Sequence, residues 1–200
     1  MGGIILNCII PPFYKRTKGE YNLNTGKVFE QNFKKSVDES KIYYLRLKDS
    51  PASFGQDSSK VRFTADNPYD NFCFYERTLF PLELKSTKGT SFSFQRNKKE
   101  KGKNIKLSQI EGLTMASKYK GIYAGFIFNF DKGETVWMNI KDFNDFYNNT
   151  TKKSINYQDI LQYDCVHIEK HLLKVNYRYE IKNLLDEIIK KGEYNAKKDI

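Results

Sequence analysis

In the segment NPYDNFCFYERTLFPLELKST, residues 67 to 87, strand-forming aromatics and leucines surround three charges, Asp70, Glu83 and Lys85. Strand side chains point alternately to opposite faces, so Leu82 and Leu84 can share a core face while Glu83 and Lys85 share the other. The segment reads as two strands joined near Glu76, Arg77 and Thr78. A two-residue turn at Glu76 and Arg77 sets Asp70 opposite Glu83, and one at Arg77 and Thr78 sets it opposite Lys85. Both registers gather the same three residues. A three-residue turn instead puts Asp70 on the leucine side, and the ERT sequence has neither the Gly nor the Asn that tight turns favour.

Two carboxylates converging at a strand edge make an oxygen-rich site for a hard cation such as magnesium, which usually keeps several waters. The cation lowers the pKa of a bound water and screens a scissile phosphate, and a neighbouring ammonium orients the nucleophile or stabilises the growing charge. An isolated ExK pair is more often a solvated surface pair of little energetic weight. Asp70 following Pro68 also suits a turn cap. The offset of the Asp and the basic surroundings favour the chemical reading.

Those surroundings are chain-wide: 34 Lys and Arg against 24 Asp and Glu give 200 residues a formal charge of +10, which suits a polyanion such as nucleic acid or an acidic membrane surface. This length is enough for one domain with a substantial core. Cys8, Cys73 and Cys165 are odd in number and far apart, which suggests neither a disulfide framework nor a CxxC knuckle and fits a reduced, cytoplasmic protein. The apolar opening GIILNCII lacks the basic flank of a signal peptide, meets Pro11 and Pro12 early, and reads as an arm or extra strand. Leu6 departs from the myristoylation pattern, so no membrane anchor is expected.

Along the chain, Val28, Phe29, Phe33 and Val37 recur at helical spacing behind the possible caps Asn24 and Thr25. KIYYLRLK reads as a strand, and IKLSQIEGLTMASKY as an amphipathic helix carrying Ile105, Leu107, Ile110, Leu113 and Met115. GIYAGFIFNF reads as a central strand, followed by ETVWMNI across a turn from Asp131 to Gly133. The C-terminal YEIKNLLDEIIKKG places Ile181, Leu184, Leu185, Ile188 and Ile189 on one helical face, with Gly192 as its stop. The expected order is helix, three strands, helix, two strands, helix.

Asp70, then Glu83 thirteen positions later, then Leu84 and Lys85, resembles the D-x(n)-E-x-K signature of the PD-(D/E)XK nuclease superfamily, and within it the RecU type of Holliday junction resolvase. The resemblance runs from about Thr25 to about Phe146. It implies an α/β, restriction-endonuclease-like core over 24–147, with a mixed central sheet flanked by helices and a stalk inserted at about 50–68. Around that core lie an N-terminal arm, 1–23, and a C-terminal helical extension, 148–200, all within a single nuclease domain. It also implies that Asp70 and Glu83 hold magnesium or manganese, that the Leu84 carbonyl is a further ligand, and that Lys85 is the catalytic lysine. Glu30 matches an auxiliary acid on the first helix, and Gln109 a glutamine on the helix after the ExK strand. Each is also an ordinary residue for a helix surface. Cellular relatives carry glycines after the Asp and in the hairpin turn, where this chain has Cys73 and Arg77.

The loop RNKKEKGKNIK gathers Arg96, Lys98, Lys99, Lys101, Lys103 and Lys106 and is expected to track phosphates, with a salt slope of about 0.9 per phosphate neutralised. On the stalk, Phe54, Lys60, Arg62 and Phe63 are expected to meet branch-point bases or phosphates. Cys165, His167 and His171 lack a fourth zinc ligand, and no Ser/His/Asp set or phosphate-binding glycine loop is evident. The expectation is a cytoplasmic, bacterial or phage-encoded enzyme that resolves four-way DNA junctions by paired hydrolysis and acts as a homodimer. A restriction-type or repair nuclease on the same fold, or a non-catalytic branched-DNA-binding protein, are the alternatives.

Overall fold

The helix expected behind Thr25 forms as α1 (Thr25–Ser36), burying Phe29 and Phe33 and ending in Lys34 and Lys35, whose charges suit the negative end of a helix dipole. The structure, a computed structural model, describes residues 25–47, 67–130 and 133–198, with side chains described through residue 194. The expected N-terminal arm, residues 131 and 132 of the expected turn and all but the last two residues of the expected stalk lie outside the described residues.

After α1 come β1 (Tyr43–Arg46), β2 (Asn71–Tyr75), β3 (Thr78–Thr87), β4 (Ser91–Ser93), α2 (Leu107–Ala116), β5 (Gly125–Phe130) and β6 (Thr135–Asn139). There follow α3 (Ile140–Asn149), β7 (Ser154–Asn156), α4 (Tyr157–Ile160), β8 (Val166–His167), β9 (Lys170–Leu173), β10 (Asn176–Tyr179) and α5 (Ile181–Lys198). Six strands make one sheet in the order β1-β2-β3-β5-β6-β8. Only β3 and β5 run parallel within it, so the sheet is mixed, with GFIFNF at its centre as expected. β4 pairs with β7, and β9 with β10, in two small separate sheets.

Helices cover both faces, and each face has its own core. On one, Leu82, Leu84, Ile127 and Trp137 pack with Phe29 and Phe33 of α1 and Leu184, Leu185 and Ile188 of α5. On the other, Phe126, Phe128 and Met138 pack with Leu113 of α2 and Phe143 of α3. Each such side chain stabilises the fold by about 1.5–3 kcal/mol relative to exposure. Pro81, which has no N–H to donate, lies in β3 between the Leu79–Ile122 bridge and the Leu82–Gly125 pair, where the ladder to β5 is interrupted.

The C-terminal third departs from expectation. The segment expected to be helical holds β7, β8, β9, β10 and the short α4 before α5 begins, and β8 adds a strand to the central sheet. α3 is also additional to the expected order. It follows β6 without a break because the Asn139 side chain accepts a hydrogen bond from the Lys141 N–H, capping the helix at the last strand residue. Gly192 does not stop α5, which runs through it. A β-carbon there would collide with the Tyr123 hydroxyl, so the glycine permits the close approach of that ring.

Candidate active site

The hairpin that carries the charges turns at Glu76 and Arg77, both in the left-handed region with φ of 47° and 61°. This two-residue turn fixes Tyr75 opposite Thr78 and Asn71 opposite Leu82. Continuing one step sets Asp70 opposite Glu83, the first of the two expected registers. Two consecutive non-glycine residues at positive φ are uncommon, and the ladder beyond them outweighs their strain.

Asp70 sits in the bend just before β2, and its Oδ2 accepts a hydrogen bond from the Leu84 N–H at 3.0 Å. One Asp70 oxygen is thereby fixed to the backbone of the very strand that carries Glu83 and Lys85. The Glu83 side chain is 1% exposed, and its Oε1 lies 2.8 Å from the Lys85 Nζ, which is itself 15% exposed. Gln109 on α2 donates its Nε2–H to the same Oε1. The other end of that amide is also occupied, since Gln109 Oε1 accepts from the Lys106 N–H at 2.9 Å, a donor that the start of α2 leaves free. The amide is thus oriented from both ends.

Glu83 Oε2 is buried without a hydrogen-bond partner among the described residues. Burial pushes the Glu83 carboxyl up to about 8; the Lys85 ammonium opposes the rise, and the Asp70 carboxylate adds to it. An orphaned carboxylate oxygen beside a second carboxylate suits a cation, and the all-oxygen donor set suits a hard one. No group of three or more His, Cys, Asp and Glu side chains converges among the described residues, so a cation here would rely on these two carboxylates, a backbone carbonyl and water.

α2 is held against the segment before Asp70 by a second contact. A β-carbon at Gly112 would stand 2.5 Å from the Pro68 Cβ and 2.8 Å from its carbonyl oxygen, so only glycine allows helix and segment to touch. One helix therefore positions both carboxylates: Glu83 through Gln109, and Asp70 through Pro68.

Glu30 lies apart from this cluster. Its helix covers the leucine face of the sheet, and its carboxylate pairs with Arg46 of β1 at 2.5 Å. Arg46 is the ladder partner of Asn71, the neighbour of Asp70, so the pair flanks the same end of the sheet. Between them the Tyr44 phenol is raised to about 12, chiefly by burial, with the Glu30 and Asp70 charges adding to the shift. Sequence reasoning misses Arg46 and the buried Asn71. Alternation in KIYYLRLK is the available signal for Arg46, whereas Asn71 carries none.

The basic loop divides into two kinds of residue. Arg96 departs from its expected phosphate-tracking role: its guanidinium donates to the Tyr147, Thr150 and Lys152 carbonyls at the end of α3. It also stacks over the Phe94 and Tyr147 rings at 4.9 and 4.3 Å. A helix C-terminus offers free carbonyls and negative potential, and a planar cation satisfies both. Lys98, Lys99, Lys101 and Lys106 are exposed and Lys103 half-buried, on a loop closed at its root by the Phe94–Ile105 bridge and leading directly into α2. Lys60 and Arg62, with Phe54 and Phe63, lie outside the described residues. His167 and His171 stand on different strands, facing Glu134 at 3.5 Å and Glu180 at 3.3 Å.

No helix among the described residues is long and apolar enough to cross a membrane. No family model matches the chain. Among solved structures, the Holliday junction resolvase Hjc of Archaeoglobus fulgidus is similar with a TM-score of 0.45 and 14% identity, over 68% of this chain and 93% of that one. Among curated proteins, the SPbeta prophage-derived uncharacterized protein YotM of Bacillus subtilis (strain 168) is 36% identical over 187 residues, covering 87% of this chain and 91% of that protein. At that identity and over that length, the chain belongs to the YotM family.

Proposed function

We propose that the protein is a metal-dependent structure-specific endonuclease that resolves four-way DNA junctions by paired phosphodiester hydrolysis. The observation that carries this reading is the meeting of Asp70 and Glu83 beside the Lys85 ammonium, with one Glu83 oxygen buried and unpartnered. Magnesium or manganese would be held by Asp70, Glu83 and the Leu84 carbonyl. When bound, such a cation lowers the pKa of a water and screens the scissile phosphate.

The chain's own side chains have separable tasks. Gln109 fixes Glu83 Oε1 and so directs Oε2 toward the cation; the Leu84 N–H does the same for Asp70 by engaging Oδ2. Lys85, partly exposed, offers N–H donors to a non-bridging phosphate oxygen or to the attacking water, and Glu83 limits its swing. Lys98, Lys99, Lys101, Lys103 and Lys106 carry the phosphates on the α2 side. A junction offers two equivalent strands, and a two-fold dimer presents two sites to them. Among the described residues β1 is the outer strand of the sheet, and Tyr43, Leu45 and neighbouring Phe74, all exposed, form an apolar surface that a second copy would cover.

The test is cleavage of a synthetic four-way junction by the purified chain with magnesium. Symmetric nicks that Asp70→Asn and Lys85→Met abolish, with junction binding retained, support the reading. Cutting of linear duplex without branch preference points to a restriction or repair nuclease on the same site. Tight binding with no cutting under either metal leaves a non-catalytic binder and overturns the proposal.

A further inference from the structure

β8 runs antiparallel to β6, so it travels toward the end of the sheet where β3 and β5 finish, and it leaves the sheet with Ile168 N–H bonded to the Thr135 carbonyl at 2.8 Å. From that point grows the β9–β10 hairpin. Its root is fastened on both sides. Tyr179 is buried against Phe29, with ring centroids 5.4 Å apart, and its N–H donates to Ser36 Oγ at 2.9 Å. Lys170 Nζ reaches Thr135 Oγ1 at 3.1 Å; Thr135 donates to Asn129 Oδ1, and Asn129 donates to Ser86 Oγ at 2.9 Å, on the leucine face of β3. The hairpin is therefore built rigidly onto the leucine face of the sheet, opposite Glu83 and Lys85, at the end where β3 and β5 finish.

Its outer part has the opposite character. Leu172 and Leu173 are each 52% exposed, and Val175, in the turn, is 84% exposed. Ten residues from Lys170 to Tyr179 include Lys170, Lys174 and Arg178 and no Asp or Glu. Lys174 and Arg178 are exposed on the same hairpin as the leucines. Exposed apolar side chains at a tip gain nothing from water, and the surrounding cations select a polyanion as the cover. Bases unstacked at a branch offer apolar faces within a frame of phosphates, which matches that mixture.

We propose that the β9–β10 hairpin is a DNA-contacting wedge: Leu172, Leu173 and Val175 press against unstacked bases at a branch point, while Lys174 and Arg178 hold the flanking phosphates. This rests on the nuclease reading. It adds a recognition element outside the segment that resembles the resolvases.

The test uses the full chain in EDTA, with a fluorescent four-way junction and a linear duplex of matching arm sequence, across a salt series. Leu173→Ser with Val175→Ser should weaken junction binding at least about fivefold and leave duplex binding within twofold. Lys174→Gln with Arg178→Gln should lower the log-log salt slope by about 1.8, or 0.9 for each phosphate no longer neutralised. All these positions are exposed, and thermal melting checks that the variants fold. Unchanged junction affinity and slope, with the parent chain still binding junctions, overturns the wedge alone. A parent chain that binds neither DNA overturns the nuclease reading with it. A shift from dimer to monomer in sedimentation, with affinity per protomer kept, assigns the hairpin to self-association and also overturns the wedge.

Discussion

Replacing Glu83 with Gln tests the site before any substrate is added. Burial raises the Glu83 carboxyl from 4.5 to about 8, so the folded protein binds this proton more tightly than the unfolded chain does. Stability from this group is therefore fully present below about pH 4.5 and is lost as the pH rises toward 8. Each unit is worth about 1.4 kcal/mol, so the loss across the window is on the order of 3–5 kcal/mol, a large share of a domain's total. Glu83→Gln keeps the shape and the Gln109 contact but removes the titration. In EDTA, urea unfolding should show the parent weakening from pH 5 to pH 8.5 while the variant stays flat on this account, ending the more stable of the two. Magnesium should then restore the parent, and calorimetry in buffers of different ionisation enthalpy should show close to one proton released per site at pH 7. Parallel pH profiles for the two proteins would refute the reasoning. They would mean that Lys85 alone keeps Glu83 ionised and that no cation is needed to neutralise it.

Three further changes probe how the site is held, and a fourth probes the turn. Arg96→Met removes the hydrogen bonds to the α3 carbonyls and the stacking on Phe94 and Tyr147; with water regained at the helix end, stability should fall by about 2–4 kcal/mol, read as a drop of roughly 6–12 °C in Tm. Lys99→Gln and Lys101→Gln should leave Tm unchanged and reduce only the salt slope of DNA binding. Gly112→Ala drives a methyl into Pro68 and separates α2 from the Asp70 segment, so junction cleavage should fall by about 10–100-fold, with junction binding in EDTA retained. Glu76→Asn with Arg77→Gly relieves two left-handed residues and should raise stability by about 1–2 kcal/mol in urea unfolding, with cleavage unaffected.

What can be read from the sequence follows the range of the forces involved. Alternation is a local property, so the β2–β3 hairpin, the separation of Glu83 and Lys85 from the leucines, and the central place of β5 are legible. The turn is narrowed by sequence but not chosen, because Glu76 and Arg77 adopt a conformation that their own preferences oppose and that only the paired strands stabilise. The C-terminal third escapes for a related reason. β8 is two residues long and acquires its identity from β6, far earlier in the chain, and no window of sequence contains that partner.

Contacts made far along the chain likewise separate Arg96 from the lysines that follow it. In the sequence they form one basic run, and charge counting cannot distinguish them. What distinguishes them is the end of α3, some fifty residues on, whose carbonyls take up one cation of the run and leave the lysines to solvent. Gly112 and Gly192 make the point from the other side, since each looks like a place for a helix to weaken or stop and each is instead where a distant residue, Pro68 or Tyr123, must touch the helix backbone. The acid pair itself needs no such distant information because two adjacent strands build it. Its orientation does: Gln109 and the Gly112–Pro68 contact come from a helix that a change in loop length would move. The chemistry of the candidate site is therefore local in origin and its alignment is not, and the alignment is what Gly112→Ala is expected to disturb while both carboxylates remain.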